Sequence, residues 1–121
     1  MNIIHLLLSV FILLPASGAF ADVPPEQRQE VEHLLQFVAE NACQMQRNGK
    51  WHTGEEAAKH IHKKYEHFRD QISSTEEFID YAASRSTVSH REYMVTCQEA
   101  EPVTTREWLL QELEQFRSAR E

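Results

Sequence analysis

The chain has 121 residues, with 12 Lys and Arg against 19 Asp and Glu, a formal net charge of −7. That balance repels nucleic acid and anionic lipid, and no basic run offsets it, so neither is expected as a partner. With 3 Gly and 4 Pro and no internal repeat, the composition excludes a disordered tract and a turn-rich all-β fold.

Residues 1–21 contain no Asp, Glu, Lys or Arg. Ile3 to Leu14 is an apolar run interrupted by His5 and Ser9, and Pro15 and Gly18 break it. Ala19-Phe20-Ala21 then offers small residues for a peptidase. This is the layout of a signal peptide, although its n-region carries only the amino-terminal charge. The run is shorter than the roughly 20 apolar residues of a membrane span. Cleavage after Ala21 is expected, with an uncleaved anchor as the alternative. The mature chain, residues 22–121, is then one periplasmic or secreted domain without a membrane span.

Pro24-Pro25 opens that domain. Val31, Leu34, Leu35, Val38 and Ala42 recur at helical spacing and predict a helix from Glu26 to about Cys43, with Glu26 and Glu30 complementing its dipole. Residues 44–48 read as an extended piece that enters a turn at Asn48-Gly49. Thr53-Gly54-Glu55-Glu56 has capping-box spacing and starts a helix to about Gln71, with Ala57, Ala58, Ile61, Tyr65 and Phe68 as its apolar stripe. Ser74-Thr75-Glu76-Glu77 repeats the signal for a helix ending near Arg85. Ser84 to His90 is a polar loop. Glu92 to Gln98 alternates like a strand, and Pro102 stops it. Thr104-Thr105-Arg106-Glu107 starts a last helix with Trp108, Leu109, Leu110, Leu113 and Phe116 on its apolar side.

Cys43 and Cys97 both fall in the exported part, where oxidation makes a disulfide the default. Chain-entropy arithmetic for a loop of that length gives about 4 kcal/mol at most. A redox pair or metal ligands are the alternatives, but there is no C-x-x-C. The expected fold is therefore mainly α (small α+β): four helices and a short two-stranded antiparallel ribbon, segment 44–48 against 92–97, with one disulfide.

Cys43 to Phe116 resembles the YfeK-like family of small exported bacterial proteins of unknown function. Four pieces carry the likeness: Arg47-Asn48-Gly49 with Trp51-His52; Glu55-Glu56-Ala57-Ala58-Lys59-His60-Ile61; Ser74 to Ile79 running on to Ala82-Ala83-Ser84; and Ser86, Ser89 and Tyr93 with Cys97 beyond. The resemblance implies export, a small domain and a cysteine pair, and no particular activity. The family's fourth piece tends to read Ser-Gly-x-Pro-Tyr, whereas this chain has Ser89-His90-Arg91-Glu92-Tyr93. A Gly there would allow a positive φ, which His adopts only at some cost, so a differently shaped loop is expected.

Three constellations carry chemistry. Arg47-Asn48-Gly49-Lys50-Trp51-His52 offers Arg for a carboxylate or phosphate and Trp for an apolar or sugar face. Its structural alternative is a tight turn with Trp51 plugging the core and Arg47 paired to a Glu. His33, His52, His60, His62, His67 and His90 include a His60-x-His62 pair, but on a helix those two point about 200° apart. Glu56 and His60, His60 and Lys64, and His62 and Glu66 each share a helix face. Ser84, Ser86, Thr87 and Ser89 form a hydroxyl-rich loop without a G-x-S-x-G elbow, better suited to a turn or to ligand hydrogen bonds.

These features point to a non-enzymatic binding or interaction module. Its contacts would be Arg47, Asn48, Trp51, His52, Ser86 and Tyr93, held at one end of the domain by the disulfide. The partner would be a protein, a peptide or an envelope polymer, and no cofactor is expected. The alternatives are a small periplasmic hydrolase using His52 or His60 as base, and a metal-binding protein.

Overall fold

A computed structural model describes Ser9 and residues 22–121. The expected leader, residues 1–21, lies outside the described residues apart from Ser9.

Helix α1 spans Pro25–Glu40, with Pro24 at its N-cap and Pro25 in its first turn, where a missing N–H costs nothing. It buries Val31, Leu34 and Val38. The helix stops short of the expected Cys43, because Asn41 turns into extended backbone to enter the sheet. Its N–H and side-chain amide both donate to the Phe37 carbonyl, at 3.3 and 2.6 Å. Ala42 therefore leaves the helical stripe and is exposed.

Helix α2 spans Gly54–Phe68, followed by a 3-10 turn at Arg69–Gln71. Thr53 Oγ1 caps it by accepting from the Glu56 N–H at 3.2 Å. Gly54 sits against the last carbonyls of α1, and a Cβ there would collide with the Val38 oxygen. Close packing of α1 on α2 thus requires that glycine. Helix α3, Thr75–Ala82, is capped by Ser74, and its Phe78, Ile79 and Ala82 are fully buried. Helix α4, Thr105–Ala119, is capped by Thr104 and buries Leu109 and Leu113. Trp108 packs on Phe37 and Phe116 stacks on His33, which closes α4 over α1.

The strands are β1 (Cys43–Arg47), β2 (Lys50–His52), β3 (Met94–Cys97) and β4 (Val103–Thr104), in the antiparallel order β2-β1-β3-β4. The expected ribbon is the central pair, in the register Cys43↔Cys97 and Met45↔Val95. Each of its edges gains a strand too short for alternation to show. Asn48 and Gly49, with φ of 51° and 81°, form the two-residue turn that folds β2 back onto β1. Cys43 and Cys97 face each other across β1 and β3 and are disulfide-bonded, with Cα atoms 4.2 Å apart.

Glu30 is buried rather than placed at the surface to suit a helix dipole. Its carboxylate accepts from Arg117 Nε at 2.6 Å, Arg117 Nη2 at 3.0 Å and Thr75 Oγ1 at 2.6 Å. Arg117 Nη1 also donates to Glu76. The clasp joins α1, α3 and α4. The Arg117 guanidinium holds the carboxyls of Glu30 and Glu76 below their ordinary range.

Candidate functional site

Strand alternation carries the inner face of the sheet beyond the apolar core. On β1, Cys43 and Met45 give way to Arg47, and on β2 the same face holds Lys50 and His52. Tyr93, just ahead of β3, continues the row of Val95 and Cys97. The far end of the core face is therefore polar. It forms one wall of a concavity of about 510 Å3 at the hairpin end of the sheet.

Helix α2 supplies the opposite wall. His60 and Lys64 lie one turn apart and both reach the Tyr93 hydroxyl. Lys64 Nζ donates to that oxygen at 3.1 Å and to the Arg85 carbonyl at 2.6 Å. The same hydroxyl lies 3.2 Å from His60 Nε2, within hydrogen-bond distance. Burial, then the charges of Arg47 and Lys64, push the His60 pKa down to about 4. Burial, then Arg47 and Arg85, lower Lys64 to about 8. Burial raises the Tyr93 phenol.

Arg47 Nη2 lies 3.4 Å from His52 Nε2, and His52 Nδ1 lies 3.1 Å from Glu56 Oε2. A guanidinium donates only, so His52 accepts at Nε2 and donates from Nδ1 to the carboxylate. Arg47 is thus not bound to a glutamate, as the structural alternative required. Trp51 does not plug the core. It pairs with Gln46 on the outer face of the sheet, 37% exposed, and does not line the concavity. Its position between Lys50 and His52 dictates this, since neighbours on a strand face opposite ways.

The loop before β3 closes the third side. Ser86 Oγ accepts from the Ser89 N–H at 3.2 Å and from Asn48 Nδ2 at 3.5 Å, and Ser89 Oγ donates to Asn48 Oδ1 at 2.6 Å. The loop is thereby fastened to the β1–β2 turn. His90 takes a φ of 62°, the conformation a glycine would adopt freely, so the departure from the family's Gly is absorbed as local strain. The disulfide lies at the other end of β1 from Arg47. The ladder and Asn48 bring hairpin and loop together, and the sulfurs fix register from a distance.

Five of the six expected contact residues, Arg47, Asn48, His52, Ser86 and Tyr93, line this concavity. Lys50 and Lys64, not among the expected contacts, join them, and so does His60, expected as a hydrolase base or as part of a metal pair. The i, i+4 spacing of His60 and Lys64 showed a shared face but not that it looks onto the sheet. His62 points elsewhere and pairs with Glu66 at 3.4 Å. Among the described residues, no three His, Cys, Asp or Glu side chains cluster as metal ligands.

Fold and site together define a disulfide-braced antiparallel sheet covered by helices, with a polar pocket beyond the end of its core. Residues 25–117 match the family of unknown function DUF5329, and the chain belongs to that family. It is 31% identical over 86 residues to the uncharacterized protein YfeK of Salmonella typhimurium, an alignment covering 70% of this chain and 72% of that protein. No solved structure matches. Among the described residues, no helix is long and apolar enough to cross a membrane.

Proposed function

We infer that this protein is an exported, non-enzymatic binding module that takes its ligand in the pocket between β1, α2 and the Ser84–His90 loop. In this reading residues 1–21 are the cleaved leader, and residues 22–121 work as one domain in the periplasm or outside the cell. The disulfide supports export, because such bonds persist where thiols are oxidised. The ligand would be a protein, a peptide or an envelope polymer.

The observation that carries the binding role is convergence. Arg47, Asn48, His52, Ser86 and Tyr93 come from three separate segments and face one concavity. A few placed polar groups around a cleft are how binding sites fix orientation. The state of the titratable groups favours binding over hydrolysis. A base works best with a pKa near the operating pH, and His60 lies at about 4 with its Nε2 engaged by Tyr93.

The test is a melting-temperature screen against wall peptides, glycans and their charged derivatives, run on wild type and Arg47→Ala. Arg47 is outside the buried core, so the variant should fold. A ligand that raises the wild-type melting temperature and not that of the variant supports the pocket. Equal shifts in both proteins refute it.

A further inference from the structure

The pocket's charge is opposite to that of the chain. The protein carries −7, yet Arg47, Lys50 and Lys64 line one concavity with His52 and His60, and its lining includes no carboxylate among the described residues. Glu56 is not part of the lining and lies 3.1 Å from His52 Nδ1. Arg47, Lys50 and Lys64 make no ion pair with any carboxylate among the described residues. Lys64 is the most telling of them, because it is only 8% exposed. Both of its hydrogen-bond partners, the Arg85 carbonyl and the Tyr93 hydroxyl, are neutral oxygens. An ammonium that deep is costly unless a negative charge compensates it.

The directions of the donors narrow the class of anion. Arg47 approaches from β1, Lys64 from α2, and Ser86 from the loop. Ser86 Oγ accepts from Ser89 and Asn48, which leaves its own proton to donate. A planar carboxylate has two oxygens, and one guanidinium fork satisfies both. A phosphoryl group presents three oxygens in a tetrahedral array and carries up to two charges, which suits donors arriving from several sides.

We propose that this pocket binds a phosphoryl group, with Arg47 and Lys64 as charge partners and Ser86 as a neutral donor. The proposal rests on the pocket being the binding site. The group could arrive as the phosphomonoester of a sugar in an envelope polymer, or, departing from the polymer reading, as inorganic phosphate. An adjoining cavity of about 750 Å3 shares Lys64, Ser86 and Thr87, carries Asp80 and Glu92 beside Arg85 and Arg106, and extends to Tyr81, an exposed aromatic face that would receive the organic part of an ester.

Burial is the main cause of the lowered Lys64 and His60 pKa values, and the neighbouring positive charges, Arg47 foremost, add to it; an anion in the pocket would offset that second part.

The experiment is calorimetric titration at low ionic strength, with parallel NMR of backbone amides. The probes are inorganic phosphate, glucose 1-phosphate and acetate. Phosphate or the ester should saturate a single site, shift amides around Arg47, Lys64 and Ser86, and weaken as salt is added. Arg47→Gln should weaken that binding roughly tenfold or more, the loss of one charge-assisted contact. Lys64→Met should do the same, and Arg47→Gln keeps the test valid if Lys64→Met fails to fold. Tighter binding of the ester identifies a phosphorylated sugar; tighter binding of phosphate identifies the free ion.

Acetate binding as well as phosphate, or no phosphate binding at all, overturns the assignment. If phosphate fails but a ligand from the melting-temperature screen still depends on Arg47, the pocket reading stands and only the anion class falls. If no ligand depends on Arg47, both fall.

Discussion

Arg117→Met tests the buried clasp that orients the helices around the sheet. The Glu30 carboxylate is 3% exposed and takes two of its hydrogen bonds from Arg117. After the substitution it keeps Thr75 Oγ1 at 2.6 Å and Arg120 Nη2 at 3.3 Å. Breaking one side of a buried ion pair costs about 3–5 kcal/mol. Arg117 is 41% exposed and Arg120 remains, so solvent and the second arginine recover part of that cost. The expected loss is about 2–3 kcal/mol at neutral pH. For a domain of this size that lowers the melting temperature by roughly 10–20 °C.

Thermal melts followed by circular dichroism at several pH values measure it. Arg117 holds the folded-state pKa of Glu30 below its ordinary 4.5. The clasp's contribution is therefore complete above that ordinary value and is lost as the pH falls through the folded pKa. Wild type and variant should differ widely at neutral pH and converge in acid. A variant that melts within a degree or two of wild type at neutral pH, or a gap that persists unchanged in acid, would refute the reasoning.

Two further substitutions probe the scaffold. Gly54→Ala should destabilise by about 1–3 kcal/mol, because the new methyl has only the carbonyls of α1 to displace; denaturant titration gives the value, and a neutral result would mean that the helices separate freely. Cys43→Ser removes a bond across a sequence separation of 54 and should cost up to about 4 kcal/mol under oxidising conditions. An unchanged melting curve would show that the β1–β3 ladder holds its register without it.

The helices were legible because their signals are local. Thr53, Ser74 and Thr104 each precede a helix, and each accepts a hydrogen bond from the N–H three residues on. The central ribbon was legible for a different reason: two cysteines expected to pair place their flanking strands side by side. The edge strands escaped notice because two or three residues cannot display a period.

The site was legible as a set of residue types rather than as a geometry. Arg47 and His52 could be singled out by chemistry, but only the pairing Arg47↔Lys50 and Gln46↔Trp51 decides which residues look inward and which outward. Trp51 was misplaced for that reason. Lys64 was overlooked because a lysine on a helix is ordinarily solvated, and its burial depends on how α2 lies against Tyr93 and Arg85. Glu30 likewise looked like a surface residue until α3 and α4 closed over it.

The pocket's character is most directly tested by the pKa of His60, followed by NMR of its ring signals through a pH titration. The ordinary value is 6.5, and burial beside Arg47 and Lys64 places it at about 4 in the folded protein. The unfolded chain then takes up this proton first, so this imidazole's effect is to lower stability as the pH falls from 6.5 towards 4. In Arg47→Ala the pKa should rise, because one of the repelling charges is gone. A His60 that titrates near its ordinary value in wild type, and does not respond to Arg47, would contradict a shared, poorly hydrated cationic pocket.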